Sequence, residues 1–279
     1  MRSLHSTTLR SAFVACGVLA GTLISGAASA AASLADLGLS EAQAEALLKR
    51  LNAPKSSPGI AFGSPVGFGL SWGQIGVGVG GATNDNPNVD DYDGSAAVSI
   101  GLGDANKWVG LEANVNIISL NDNGPNSAFG EDGSVNLKLH TTLPGQAAFA
   151  VGVQNIGRWG AAADDPDSSS SVYAAVTKIY NLSSNPLSPL PLSVNIGVGD
   201  GRFQNNGNDG ASVFGGIAII PHQKFSIITD WTGQDLNAGV SIAPFHNYAL
   251  TITLGAVNLV ERLDRPTEFA GGIGYSFKF

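Results

Sequence analysis

The chain has 279 residues, 14 Lys+Arg against 22 Asp+Glu and a net charge of -8. With 13% charged and 43% hydrophobic residues it is too apolar for an intrinsically disordered chain, and its few scattered Lys and Arg form no basic nucleic-acid footprint. Its 37 glycines are roughly twice the usual ~7% share and carry no collagen period.

Residues 1–30 read as a secretory signal. Arg2 and Arg10 form a basic start, residues 11–24 an apolar stretch too short to span a bilayer, and Ala28-Ser29-Ala30 a small-residue cleavage site. The only cysteine, Cys16, lies inside this segment, so the processed chain is expected to hold itself by packing or sheet closure rather than by disulfides.

Residues 31–65 are expected to form a short helix and a linker. Ser40 is placed to cap a helix with Gln43 three residues on, and Ala44, Leu47, Leu48 and Leu51 share one face. Asn52 and Pro54 stop it, and residues 53–65 are rich in Pro, Ser and Gly. Such a helix can plug a lumen, lie on a membrane, touch a periplasmic partner or serve as a leader.

From Phe68 to the end the period is two, as in strands with two unlike faces. In the last strand Phe269, Gly271, Ile273, Tyr275, Phe277 and Phe279 alternate with Glu268, Ala270, Gly272, Gly274, Ser276 and Lys278. Twelve such segments follow one another: 68–83, 94–102, 107–119, 134–142, 146–157, 171–182, 191–199, 211–220, 225–231, 235–243, 248–257 and 268–279. Most are near the ~9–11 residues of a tilted membrane-crossing strand. The first is long, and its slip near Gly73-Gln74 suggests a bulge.

Long polar loops (84–93, 120–133, 158–170, 200–210, 258–267) alternate with short turns (103–106, 143–145, 221–224, 244–247). The connection at 183–190 is of medium length, and the tight 232–234 breaks the long-loop side. No later segment has 18 consecutive apolar residues, so no inner-membrane helix is expected. The fold class expected is all-β: a closed antiparallel transmembrane β-barrel of about twelve strands over residues 66–279. A short N-terminal periplasmic helix precedes it, and both termini lie on the periplasmic side of a bacterial outer membrane. A two-sheet sandwich has a similar period but no reason to gather its long loops at one end.

The tail Tyr275, Phe277 and Phe279 resembles the C-terminal signal read by the outer-membrane barrel assembly machinery. Residues 171–180 (SVYAAVTKIY) and 230–245 (DWTGQDLNAGVSIAPF) are similar to the exopolysaccharide-associated outer-membrane barrel family and its uncharacterised cyanobacterial relatives. The likeness implies a role in polysaccharide export or envelope structure, brings no catalytic motif, and makes envelope polysaccharide a partner beside outer-membrane lipid.

Gly69-Leu70-Ser71-Trp72-Gly73 matches a nucleophile elbow and residues 76–81 match G-x-G-x-x-G, but each chemistry needs a following helix and the pattern here stays extended. His140, His222 and His246 have no zinc spacing, and no enzyme or cofactor is expected. Asp85, Asp90, Asp91 and Asp93, with acids in the next two long loops, make either a solvated acidic rim or oxygen ligands for Ca²⁺. Facing the lumen are expected Glu112, Asn114, Asn116, Lys138, His140, Lys178, Asp230, Glu268 and Lys278. Three charges of each sign fit either a narrow wet pore of weak ion selectivity or a salt-bridged, closed interior. The pore for small solutes is the leading expectation, and a non-conducting envelope barrel linked to exopolysaccharide the alternative.

Overall fold

The computed structural model describes residues 56–83, 94–118, 120, 129–160, 170–185, 188–204, 210–260 and 266–279. The signal, the helix at 40–51 and the carboxylates Asp85, Asp90, Asp91 and Asp93 lie outside these residues.

The twelve strands are β1 (Gln74–Ala82), β2 (Gly94–Gly103), β3 (Gly110–Ile117), β4 (Gly133–Leu143), β5 (Ala147–Trp159), β6 (Ser171–Asn181), β7 (Pro191–Gly199), β8 (Ser212–His222), β9 (Phe225–Trp231), β10 (Leu236–Ile242), β11 (Leu250–Val257) and β12 (Glu268–Lys278). Each pairs antiparallel with its neighbours in sequence, and β1 pairs with β12 from Gln74↔Lys278 to Ala82↔Ala270. The sheet therefore closes into a barrel without an edge, and every strand pairs with a neighbour on both sides.

The two faces part as the period-two pattern requires. Val98, Val172, Ile196, Val213, Leu254 and Phe269 point outward and are each more than half exposed. Ser99, Thr177, Ser193, Ser226, Ser241 and Thr253 point inward and are buried. Two irregularities interrupt the ladders. In β5 the register steps from Leu137↔Val153 to Val135↔Gly157 around Asn155, whose φ is 57° and whose N–H donates to Asn136 Oδ1 at 2.7 Å. In β8 it steps between Ile219 and His222, beside Pro221, which has no N–H to give to a ladder.

The first strand differs from expectation. Only Gln74–Ala82 belong to the wall, while residues 68–73 lie inside the barrel or in the turn that leads to it. The slip at Gly73-Gln74 is that turn, not a bulge. Gln74 N–H donates to Ser71 O at 3.0 Å, Ser71 N–H to Gln74 Oε1 at 2.7 Å, and Gly73 adopts φ 81°. A period of two reports an extended backbone with two unlike faces, and an extended chain in a lumen carries it as well as a strand in a sheet does.

Candidate functional site

The short-turn end of the barrel is where β1 begins and β12 finishes. There Ser56 Oγ donates to the carbonyls of Tyr248 and Leu250 at 3.4 Å, and Thr251 Oγ1 to Ser57 O at 3.4 Å. From this mouth the chain climbs along β9 and β10. Gly59 N–H donates to Ser241 Oγ at 2.8 Å, and Ser226 Oγ donates to Gly59 O at 2.6 Å. At the level of Asp230, near the long-loop end of β9, it reverses. It then descends past β7, β6 and β5 to β3 and β4, leaving by the mouth through which it entered. Residues 56–72 thus form a hairpin inserted in the lumen.

The tip hangs on one carboxylate. Asp230 Oδ2 accepts the N–H groups of Phe62, Gly63 and Ser64 at 2.8, 2.8 and 3.0 Å and the Ser64 hydroxyl at 3.1 Å. Asn237 Nδ2 donates to Oδ1 at 3.1 Å. An acceptor-only carboxylate suits a turn whose successive N–H groups converge, and the ionised form makes each bond stronger. On the way down Asn195 Nδ2 donates to Pro65 O at 2.7 Å, Thr177 Oγ1 to Asn195 Oδ1 at 2.7 Å, and Gly67 N–H to Thr177 Oγ1 at 2.8 Å.

Lower still, Leu70 is clamped by both its backbone groups. Its N–H donates to Glu112 Oε2 at 2.8 Å, and His140 Nε2 donates to its carbonyl at 2.8 Å. Lys138 Nζ stands 3.2 Å from the same Glu112 oxygen. Inside a closed barrel the hairpin makes no sheet of its own, so polar side chains of the wall satisfy its backbone.

The apolar side chains of the hairpin make the core. Ile60, Ala61, Phe62, Val66 and Phe68 pack against inward-facing Ala82, Ala148, Ala218, Ile228, Val257 and Ala270. Phe62 is fully buried over Gly239 and Gly255, where a Cβ on either glycine would come within 2.9 Å of its ring. Toward the long-loop end a second cluster lies on the β6–β8 side of the bore. Phe203, in a 3-10 turn over Gly201–Phe203, stacks on Phe214 with centroids 4.6 Å apart, and Tyr173 meets both edge-on. Arg202 above it donates to Gln154 Oε1 at 3.1 Å, while Gln234 Nε2 donates to the carbonyls of Arg202 and Gln204.

Of the residues expected to line the lumen, Glu112, Asn114, Asn116, His140, Asp230 and Glu268 lie on the inner face and are buried. Lys138 joins them through its pair with Glu112, and Asn114 bridges Ser99 and Asn136. Lys278 faces a recess at the short-turn mouth. Lys178 does not belong with them. In β6 the inward set is Ser171, Tyr173, Ala175 and Thr177, so Lys178 falls outside beside Val176 and Tyr180, 5.2 Å from the Tyr180 ring. Near a strand end a lysine stem can lie along an apolar surface with its ammonium in water, which is why charge alone misplaced it. In the tail, Tyr275, Phe277 and Phe279 are outward and exposed.

At the mouth, the Asn106 backbone N–H, aided by Lys107 at 3.4 Å, holds the Asp104 carboxyl below the usual carboxylate range. Among the described residues no group of three or more His, Cys, Asp and Glu is placed to hold a metal ion. Residues 76–81 lie within β1, and Ser71 sits in the turn before it.

Sequence reasoning missed the hairpin and the aromatic cluster. A signal for the hairpin exists: Ile60, Phe62, Val66, Phe68 and Leu70 fall at even positions against Gly59, Gly63, Gly67, Gly69 and Ser71. A flexible linker has no use for such a stripe. No known family model and no curated protein matches the chain.

Proposed function

We propose that the protein is an outer-membrane pore for small solutes, held closed by its own N-terminal hairpin, with the short-turn end toward the periplasm. Support for the membrane comes from an outward face that exposes apolar side chains on all sides of a closed barrel. The observation that carries the pore is how the hairpin is held. Apart from its apolar packing and one backbone bond at its foot, Trp72 N–H to Gly103 O at 2.7 Å, it is bound to the wall through polar side-chain groups, foremost the single Asp230 carboxylate, and through no strand pairing. A segment fastened in this way leaves behind it a complete barrel with a polar lining when it withdraws.

The test is single-channel current from the refolded chain in a planar bilayer, with folding checked by the gel shift on boiling. The wild type is expected to be closed most of the time. Asp230→Ala strips four donors of their acceptor, and charged hydrogen bonds contribute roughly 1.5–3 kcal/mol each. At ~1.4 kcal/mol per decade, loss of one such bond's worth raises the open probability about tenfold or more.

A second reading is favoured by the filled lumen itself: a non-conducting envelope barrel, linked to surface polysaccharide, whose hairpin is a permanent core. Folded Asp230→Ala protein that stays silent would support it and count against the pore.

A further inference from the structure

The hairpin does not fill the lumen evenly. It packs closely on β9–β11, where Gly59 and Phe62 lie against the wall, and again lower down, where a Cβ on Gly67 would run into the Ala148 carbonyl of β5, but beside residues 63–66 it leaves a recess against β3–β5. Along the latter wall the β3–β4 register sets four inward levels, from the short-turn mouth upward: Gly110 opposite His140, Glu112 opposite Lys138, Asn114 opposite Asn136, and Asn116 opposite Ser134.

Two recesses occupy the lower three of these levels. The inner one lies between residues 63–66 of the hairpin and Glu112, Asn114, Asn136, Lys138, Gln154 and Tyr173, and its volume of about 40 Å³ has room for a few waters. The other opens at the mouth, measures about 720 Å³, and is lined by His140, Thr142, Gln74, Trp72 and Lys278 among others. What separates them is a single crossing of chain. At Gly69 a Cβ would come within 2.8–2.9 Å of His140 Cδ2, Lys138 Cε and Glu112 Oε2 together. The next residue, Leu70, is fastened to Glu112 on one side and to His140 on the other. Glu112 and Lys138 line the inner recess and His140 the outer, so the three side chains that clamp the crossing also form the partition.

We propose that this partition is the gate of a narrow polar route along the β3–β5 wall, taken by water and small monovalent ions. The inference rests on the pore reading above in that the lumen conducts, and it departs from that reading in running the route beside a seated hairpin instead of through the space a withdrawn hairpin leaves. The hairpin stays in place on β9–β11 while ions pass beside it. Glu112 and Lys138 stand at the narrowest level and set the preference between cations and anions. A route of this bore excludes sugars and other solutes larger than a few waters.

The experiment compares single-channel currents of Leu70→Gly and His140→Ala, which open the partition from the hairpin side and from the wall side, with Asp230→Ala, which frees the tip. Each is repeated with a covalent tether. A Cβ at position 59 stands 3.4 Å from Ser241 Cβ, close to the ~3.5–4.5 Å of a disulfide, so the pair Gly59→Cys and Ser241→Cys locks the ascending leg to β10 on oxidation.

Small, stable steps at least ten times more frequent than in the wild type are expected from either partition variant, unchanged by oxidation of the tether. Adding Glu112→Gln to the conducting variant is expected to shift the cation-to-anion permeability ratio several-fold toward anions. Current that vanishes on oxidation would overturn the proposal, because ions would then need the hairpin to leave. Folded partition variants that stay silent while Asp230→Ala conducts would also overturn it and leave the pore standing. Silence from all three folded variants would remove the pore reading together with the route.

Discussion

Two lysines of like sequence appearance sit in opposite surroundings. Lys138 is nearly enclosed and pairs with Glu112, whereas Lys178 lies outside beside Tyr180. Lys138→Met leaves a buried carboxylate without its cation, and breaking such a pair costs roughly 3–5 kcal/mol. Lys178→Met removes an exposed charge and should stay within about 0.5 kcal/mol of the wild type. Urea midpoints of the refolded barrel are the measure, and equal losses from the two substitutions would contradict the placement of Lys178. Phe62 offers a second test at this scale. Phe62→Asp places a charge where the ring packs on Gly239 and Gly255 and leaves the wall untouched, so it is expected to expel the hairpin while the ladder from β9 to β11 persists. Limited proteolysis should then cut within residues 56–72, with the gel shift on boiling retained. Residue faces were legible wherever a strand alternates cleanly, as in β12. They were not legible in β6, where a large inward Tyr173 and an outward Lys178 reverse the usual assignment.

At the scale of elements, eleven strands lie within a few residues of their sequence-derived bounds, and the twelfth is instructive. β1 and the descending leg of the hairpin read as one alternation with a single slip at Gly73-Gln74, where the positive φ of Gly73 divides lumen from wall. No local signal states on which side of a turn an extended segment finds its partners, because that depends on whether neighbouring strands or a lumen receive it. The seam of the barrel is likewise built of contacts far apart in the chain. Phe279 N–H donates to Gly73 O at 2.8 Å, and at the other end Thr83 N–H donates to Phe269 O at 2.7 Å and Phe269 N–H to Thr83 Oγ1 at 2.9 Å. The Phe279 ring itself is 70% exposed. Phe279→Ala should therefore change the urea midpoint of the finished barrel little. If the tail is the assembly signal that Tyr275, Phe277 and Phe279 resemble, the same substitution should lower the yield of folded barrel in cells. An equal effect in cells and in vitro would argue for a packing role instead.

On the scale of the whole molecule, the outward face sets the solvent the barrel needs. Exposed Val98, Val172, Ile196, Val213 and Leu254 lie on strands distributed around the ring, and water is a poor solvent for such a girdle. Ile196→Arg places a cation in the middle of β7 on this face. If the face meets hydrocarbon, folding into bilayers should lose roughly 2–4 kcal/mol. In a soluble barrel the same exposed change would be nearly neutral, so urea titrations in vesicles separate the two. The girdle was readable in the period, and the contents of the bore were not. A lumen's lining is small and polar whether water or protein fills it, so the pattern of the wall alone leaves its occupant open.

Because both legs of the hairpin pass through the same mouth, the lumen holds a bight of chain and not a thread. Among the described residues nothing is knotted through the ring, and the bight can enter or leave through one mouth. Material of any bulk attached ahead of residue 56 therefore stays on the side where it started. A folded domain grafted there is compatible with a seated hairpin, and the β1–β12 seam need not part to let the hairpin in or out.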